Sequence, residues 1–115
     1  GITPLMSAAA NGREKLVELA LQHGAVINEQ TYLGSTALML AAGNGHEKVI
    51  DVMIPHGAAI DQQTNTGDTA LIRAAFSGHP TALRCLLRAG ADTKLCTTDG
   101  TTALQLAKQE GHTEC

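Results

Sequence analysis

A strict 33-residue period runs through the chain. The stretch GSTALMLAAGNGHEKVIDVMIPHGAAID, which begins at Gly34, recurs in related form 33 residues earlier and 33 residues later, with no insertion or deletion. Each repeat begins with a glycine: Gly1, Gly34, Gly67 and Gly100. After each of them, threonine follows at two positions, leucine at four, alanine at seven and a second glycine at eleven. A period of this length indicates stacked copies of one supersecondary unit. The units are 1–33, 34–66, 67–99 and a partial fourth unit, 100–115.

The first half of each unit predicts a short helix. In unit one, Thr3 is placed to cap the helix N-terminus, because a threonine hydroxyl accepts a hydrogen bond from a free backbone N–H there. Leu5 and Ala8 lie three residues apart and therefore on one helical face, where alanine allows close approach of a neighbouring helix. Gly12 then ends the helix in a left-handed conformation.

The second half of each unit predicts another helix, from about Glu14 to His23 in unit one, closed by the glycine column that begins at Gly24. Pro80 starts the third of these helices, where its missing N–H costs nothing. Pro55 falls near the end of the second, so we expect that helix to bend or end without continuing past Ile54. Apolar residues recur in these helices: Leu16, Val17, Leu19 and Leu21, then Val49, Ile50, Val52 and Ile54, then Ala82, Leu83, Cys85 and Leu87.

The segments between units, such as AVINEQTYLGS, have turn residues and no helical period, which predicts an extended loop or a short β-hairpin. Helices of about 8–10 residues are not stable alone in water. The chain is 43% hydrophobic but only 2% aromatic, so burial must come from thin layers of aliphatic side chains. Each unit is therefore predicted to cover the one before it.

These motifs resemble the ankyrin repeat family over essentially the whole chain. GITPLMSAAANG is close to that family's G-x-T-P-L-H-x-A-A-x-x-G segment, and LVELALQHGAVIN is similar to its second-helix and glycine-alanine segment. The resemblance implies an all-α, ankyrin-type helix-turn-helix solenoid with short β-hairpin loops and about three and a half stacked repeats, in a single array over residues 1–115.

The chain departs from the family pattern in two columns. The proline at Pro4 is replaced by alanine in the later units. The family's histidine after the leucine, which supports a Thr–His hydrogen-bond network there, is replaced by Met6, Met39, Ile72 and Gln105. The resemblance thus implies units looser than ideal ones. Because the chain begins with glycine and both ends fall within a unit without polar capping repeats, we expect a piece of a longer array, with neighbouring domains covering the ends as the alternative.

Several functional classes are disfavoured by composition and motifs. A formal net charge of −3 argues against a nucleic-acid surface, and no apolar run approaches the ~18–20 residues of a membrane span. No phosphate-binding loop or acid–base carboxylate pair is present, so we expect no catalysis, no cofactor and no small-molecule substrate. The odd number of cysteines, without metal-site spacing, favours free thiols in the cytosol or nucleus. Cys85 is expected to be buried and inert, and Cys96 to be accessible.

The histidines fall in two repeat columns. They are His46, His79 and His112 in one column and His23 and His56 in the other. Stacked helices lie about 8–10 Å apart, too far for two such side chains to share one zinc ion at ~2 Å. We therefore expect structural histidines and no metal site.

The resemblance implies that the loop tips and the exposed side of each first helix form a concave face that binds a protein or peptide. On the columns of that face we expect partner contacts at Tyr32, Leu33, Ser35, Asn44, Asn65, Thr66, Asp68, Phe76, Ser77, Asp99, Thr101 and Lys108. The chain's two aromatic residues, Tyr32 and Phe76, are both in this set, and aromatic side chains often anchor interfaces. The alternative is that Phe76 packs under a loop and Tyr32 covers its own hairpin.

The loops are acidic. They contain Glu29, Asp61, Asp68, Asp92 and Asp99 against Lys94 alone. This charge favours a partner segment with Lys or Arg, although acidic residues also suit solvated turns, and both interpretations stay open. The predicted function is protein–protein recognition; the alternative is a structural spacer or packing module within a larger multidomain enzyme, channel or scaffold.

Overall fold

The computed structural model describes residues 2–109, with side chains to Leu106 in the last helix. Within that range the α-helices are α1 Pro4–Ala10, α2 Glu14–Gln22, α3 Ala37–Gly43, α4 Glu47–Met53, α5 Ala70–Ser77, α6 Pro80–Arg88 and α7 Ala103–Gln109, and a 3-10 helix spans Ile54–His56. The predicted second helix of unit one is thus confirmed to within one residue, and Pro80 begins α6 as predicted.

The helices form two layers. In the first layer α1 packs against α3, α3 against α5, and α5 against α7. In the second layer α2 packs against α4 and α4 against α6, while the two helices of each complete unit also contact each other. The molecule extends 40 × 26 × 21 Å. The architecture is the all-α solenoid that the period predicts.

The leucine column fills the interior of the first layer. Leu5, Leu38 and Leu71 are each only 2% exposed, which confirms the predicted packing between units. Leu104, at the end of the described stack, is 61% exposed. Burial therefore depends on a following unit and not on the leucine itself.

The second layer buries several columns of the predicted apolar pattern, with Val17, Ile50 and Leu83 at most 5% exposed, and one further column. Met53 and Leu86 are fully buried, yet the sequence pattern did not single out their column. Leu16, Leu19 and Leu87 are about half exposed. The buried stripe of these helices therefore includes a position that the recurring apolar residues left out.

Threonine caps begin the first helices as predicted. The hydroxyls of Thr3, Thr36 and Thr69 accept from the backbone N–H three residues further on, at 3.1, 3.3 and 3.1 Å. In unit four the contact is reciprocal: Thr102 Oγ1 accepts from the Gln105 N–H at 3.3 Å, and Gln105 Oε1 accepts from the Thr102 N–H at 2.9 Å. Gln105 therefore forms a capping box at a position where the ankyrin pattern has histidine.

The helix ends also follow the predictions. α4 ends at Met53 and tightens into the 3-10 helix that contains Pro55, which confirms the predicted early end. Gly57 then closes this segment in the left-handed region at φ 90°. A proline cannot donate the N–H that would continue the α-helical ladder, so this end is set by covalent structure.

The loops between units are tight turns. In the first, the Thr31 N–H donates to the Ser35 carbonyl at 2.8 Å. The same bond recurs 33 residues later, from Thr64 to Asp68, at 2.9 Å. One isolated antiparallel bridge, Cys96 to Thr102, is the only β-pairing in residues 2–109. The predicted hairpins are thus reduced to their turns.

Candidate functional site

Successive loop tips are joined by backbone hydrogen bonds. The Asn65 N–H donates to the Leu33 carbonyl at 3.0 Å, and the Thr98 N–H donates to the Thr66 carbonyl at 2.9 Å. Gly67 allows the close approach, because a Cβ there would lie 2.8 Å from the Thr97 Cα, and its φ of 86° also favours glycine. The tips therefore form a continuous row rather than independent loops.

Two glutamines reinforce this row. Gln30 Nε2 donates to the Gly34 carbonyl in its own loop at 2.8 Å and to the Gln63 carbonyl in the next at 3.4 Å. Gln63 Nε2 repeats the arrangement, with the Gly67 carbonyl at 3.1 Å and the Cys96 carbonyl at 3.2 Å. Sequence reasoning missed these clamps, although identical glutamines 33 residues apart were a visible signal.

Tyr32 and Leu33 project from the first complete loop tip. Tyr32 is 91% exposed and Leu33 is 66% exposed. Their backbone is held by the next loop, since Asn65 Nδ2 donates to the Tyr32 carbonyl at 3.1 Å. Tyr32 therefore does not cover its own hairpin. The side chains of Tyr32 and Leu33 are exposed to solvent, while hydrogen bonds from the next unit hold their backbone.

An open groove of about 480 Å³ runs across α3, α5 and α7. Its apolar lining comes from Met39, Leu40, Ile72, Phe76 and Leu106. The structure brings six of the predicted contact residues to its walls: Asn44, Asp68, Phe76, Ser77, Asp99 and Thr101. Phe76 is 60% exposed, so its ring does not pack under a loop.

Arg73 lies in this groove and was not among the predicted contacts. Its Nη2 donates to the Ser35 hydroxyl at 2.8 Å. Its stem passes beside Gly43, where a Cβ would lie 3.7 Å from the Arg73 Cβ. Ser35, predicted as a partner contact, is only 7% exposed. Ser35 is thus buried and holds the Arg73 guanidinium through its hydroxyl.

Two carboxylates lie on the loop side of the groove. Asp68 is half-buried and accepts from the Thr66 hydroxyl at 3.4 Å. Asp99 is exposed and accepts from the Thr97 hydroxyl, from the Thr101 hydroxyl at 2.9 Å and from the Thr101 N–H at 3.2 Å. These hydrogen bonds, from Thr97 first and then from Thr101, hold the pKa of Asp99 below its ordinary value. Asp99 is therefore an anion at neutral pH.

Two other loop carboxylates have structural partners. Asp61 Oδ1 accepts from the Asp92 N–H at 2.8 Å, and Asp92 Oδ1 accepts from the Lys94 N–H at 2.8 Å. Asn28, which is equivalent to Asp61 in unit one, accepts from the Ala59 N–H at 2.7 Å. The turn interpretation of acidic residues thus describes Asp61 and Asp92; Asp68 and Asp99 also accept hydrogen bonds within their own turns, and they line the groove as well.

The remaining predicted contacts lie at the edges of this surface. Asn65 and Thr66 are exposed at a loop tip, and Ser77 is exposed at the end of α5. Asn44 is exposed, and its Nδ2 donates to the Ala10 carbonyl of unit one at 3.0 Å. Lys108 lies in α7, and its side chain is outside the described residues.

The histidines contact the neighbouring backbone. His46 Nε2 is 2.9 Å from the Ala10 carbonyl oxygen, and its Nδ1 would be 2.6 Å from a Cβ at Gly12. The same closeness recurs between His79 and Gly45. His46 and His79 therefore pack one unit against the next; His112 is outside the described residues. Within residues 2–109, no three His, Cys, Asp or Glu side chains are grouped to hold a metal ion.

The two described cysteines differ in environment. Cys85 is buried, and burial raises the pKa of its thiol, with the nearby negative charge of Asp51 raising it further. Cys96 is exposed. Both placements were predicted. No helix in the described part of the chain is long and apolar enough to cross a membrane.

Stacked two-helix units with ordered loop tips and a groove along the first helices define a helical repeat protein. The sequence matches the family model for ankyrin repeats (three copies) over residues 1–64 and the model for a single ankyrin repeat over residues 66–98. The chain therefore belongs to the ankyrin repeat family. Ankyrin repeats are generally protein–protein interaction modules and are typically non-enzymatic. None of the curated proteins compared with the chain matches it.

Proposed function

We propose that the chain binds a protein partner along its concave surface, through the loop tips and the groove across α3, α5 and α7. The observation that carries this proposal is Phe76: its ring is 60% exposed on the wall of a groove with an apolar floor. A large exposed aromatic side chain beside a concave apolar surface is the usual composition of an interface anchor.

The loop tips extend this surface and are already ordered. Tyr32 and Leu33 are exposed, while their carbonyls are bonded to Asn65 of the next unit. Little backbone entropy would be lost on binding, which favours affinity. We therefore include Tyr32 as the second anchor of the same interface.

The charge of this surface favours a partner segment that contains Lys or Arg. Asp68 and Asp99 line the groove, and the hydrogen bonds around Asp99 keep it ionised. Complementary charge accelerates association and fixes the register of a bound segment. If a bound segment pairs a Lys or Arg with Asp68 or Asp99, its affinity should fall as the salt concentration rises.

The test is selection of binding sequences from a random linear-peptide display, followed by fluorescence anisotropy with the enriched peptides. We expect Phe76→Ala and Tyr32→Ala to weaken binding at least tenfold each, since an anchor contributes ~2 kcal/mol or more. Val26→Ala is the matched control, because Val26 is 66% exposed but belongs to neither anchor. Unchanged affinity in the Tyr32→Ala/Phe76→Ala double variant would refute the proposed surface.

A second candidate function is a packing module within a larger assembly. Leu16 and Leu19 on α2 are 48% and 51% exposed, whereas Val49 and Cys85 at equivalent positions are 1% and 7% exposed. This apolar strip favours contact with another folded unit. A partner lost with Leu16→Glu/Leu19→Glu but kept with Phe76→Ala would support packing; the reverse result would support groove recognition.

A further inference from the structure

The groove carries an arginine at a position where the neighbouring units have leucine. Arg73 on α5 is equivalent to Leu40 on α3 and to Leu106 on α7, and all three line the groove. Arg73 is half-buried. A cation between two leucines on a groove floor is not needed for packing, because leucine occupies the same position in the units on either side.

The guanidinium is held by a neutral group and retains further donors. Its described side-chain hydrogen bond runs from Nη2 to the Ser35 hydroxyl at 2.8 Å, and a guanidinium has five N–H donors in a planar fork. This bond directs the guanidinium toward the loop before α3. Asp68, in the same unit as Arg73, also lines the groove, but the described bond of Arg73 is to Ser35. Within the described residues Arg73 is therefore a fixed cation with donors left for a ligand.

The negative charges of the groove lie on two loops other than the one that Arg73 contacts. Asp68 lies in the loop before α5, and Asp99 lies in the loop before α7. Asp99 is fixed by Thr97 and Thr101. The groove is thus bipolar, with a cation directed to the loop before α3 and carboxylates on the loops before α5 and α7.

An apolar subsite lies on the same helix. Phe76 follows Arg73 by three residues, so both project from one face of α5. Gly43 on α3 is equivalent to Phe76 and also lines the groove, and its lack of a side chain leaves space for the Arg73 stem. The volume of about 480 Å³ falls within the ~300–1,000 Å³ of ligand-binding clefts.

We propose that this groove binds an extended peptide segment with three side chains in register: an Asp or Glu on Arg73, a large apolar residue on Phe76, and a Lys or Arg on Asp68 and Asp99. The inference rests on the proposed function and specifies the partner. Charge complementarity identifies the occupant, since a guanidinium and a carboxylate form parallel charge-assisted hydrogen bonds. Arg73 is the specificity-determining residue because it alone demands an acid.

The experiment compares the sequences that random linear-peptide display enriches on four forms of the protein. On the wild type we expect an acidic, a large apolar and a basic residue within one short window. On Arg73→Glu the acidic preference should change to basic, and on Asp68→Asn/Asp99→Asn the basic preference should disappear. Arg84→Glu, which changes an exposed arginine on α6, is the matched control and should enrich the same sequences as the wild type.

A charge exchange then tests the contact itself. Arg73→Glu should weaken binding of an enriched peptide at least tenfold, and replacing that peptide's acidic residue with Lys should restore most of the loss. Arg73→Leu introduces the residue that α3 and α7 have at this position, so the variant should fold. It should bind the enriched peptide more weakly, without a changed preference from acidic to basic residues. Circular dichroism confirms that each variant is folded.

The outcomes separate the two proposals. If no peptide binds the wild type, the proposed function fails and this inference fails with it. Peptides that bind through Phe76 without an acidic preference would leave the proposed function standing and refute the bipolar groove. An acidic preference that Arg73→Glu does not change would do the same. Self-association that Arg73→Glu abolishes, without peptide binding, would show that a second copy of the chain occupies the groove and would also refute it.

Discussion

Arg73 crosses from unit three to unit two, where its Nη2 donates to the Ser35 hydroxyl at 2.8 Å. The bond joins α5 to the loop before α3, and the acceptor is the neutral hydroxyl of Ser35, a residue that is 7% exposed. A neutral acceptor orients the guanidinium without neutralising it. The same contact therefore stabilises the stack and sets the charge of the groove.

Removing this hydroxyl tests the structural half of that role. Ser35→Ala should lower the free energy of unfolding by about 1 kcal/mol, the usual contribution of one hydrogen bond, as measured by urea denaturation. Ser77→Ala is the control, since Ser77 lines the groove but is exposed, and it should change stability little. Equal effects of the two substitutions would show that the Arg73–Ser35 bond contributes nothing to folding.

The sequence predicted those features that depend on local interactions. The cap at Thr36 and the early helix end at Pro55 follow from residues within four positions of each other. The 33-residue period repeats the threonine cap in every unit, whereas the early end at Pro55 is confined to unit two. The exposure of Tyr32 and Phe76 agrees with the columns that the family resemblance assigns to the binding face, for which the sequence had also left a packed alternative open.

Contacts between different columns were not predictable in this way. The Arg73–Ser35 bond joins residues 38 positions apart, which no periodicity relates. The bonds of Gln30 and Gln63 do join positions 33 residues apart, but whether they form depends on the separation of neighbouring loops. That separation is set by packing in three dimensions, so the charge pattern of the groove emerges only from the structure.

A matched pair of leucines tests the dependence of burial on a following unit. Leu38→Ala should lower the free energy of unfolding by about 2–5 kcal/mol, because it removes a core side chain and leaves a cavity. Leu104→Ala changes the same repeat position where it is 61% exposed, and should cost less than about 1 kcal/mol. Urea denaturation of both variants gives the comparison. Similar losses would contradict the view that this column is buried only between units.

The two described cysteines should differ strongly in reactivity. Cys96 is exposed, whereas Cys85 is buried and its pKa is raised by burial and by Asp51. Since the thiolate is the nucleophile, we expect rapid alkylation of Cys96 by iodoacetamide at pH 7 and slow alkylation of Cys85. Peptide mass mapping over time measures both rates, and denaturation in urea should make them similar. Fast modification of Cys85 in the folded protein would contradict its burial.

The Asp99 turn should give a stability contribution that depends on pH. Hydrogen bonds from Thr97 and Thr101 depress the pKa of Asp99 below 3.8 in the folded protein, so folding favours the ionised form. The contribution is therefore complete above the unfolded-state pKa near 4 and is lost as pH falls through the lower folded-state pKa. Carbon-13 NMR titration of the Asp99 carboxyl should give a midpoint below 3.8.

The threonines provide the control for that titration. Thr97→Val/Thr101→Val removes both hydroxyl donors and keeps the side-chain shape, so the midpoint of Asp99 should rise toward its ordinary value. The free energy of unfolding should decline between pH 5 and pH 2, in part because Asp99 becomes protonated. Asp99→Asn should abolish that part of the decline, measured by urea denaturation at each pH. If the double valine variant leaves the midpoint in place, the hydroxyls do not cause the shift, and the turn would hold Asp99 through the Thr101 backbone N–H alone.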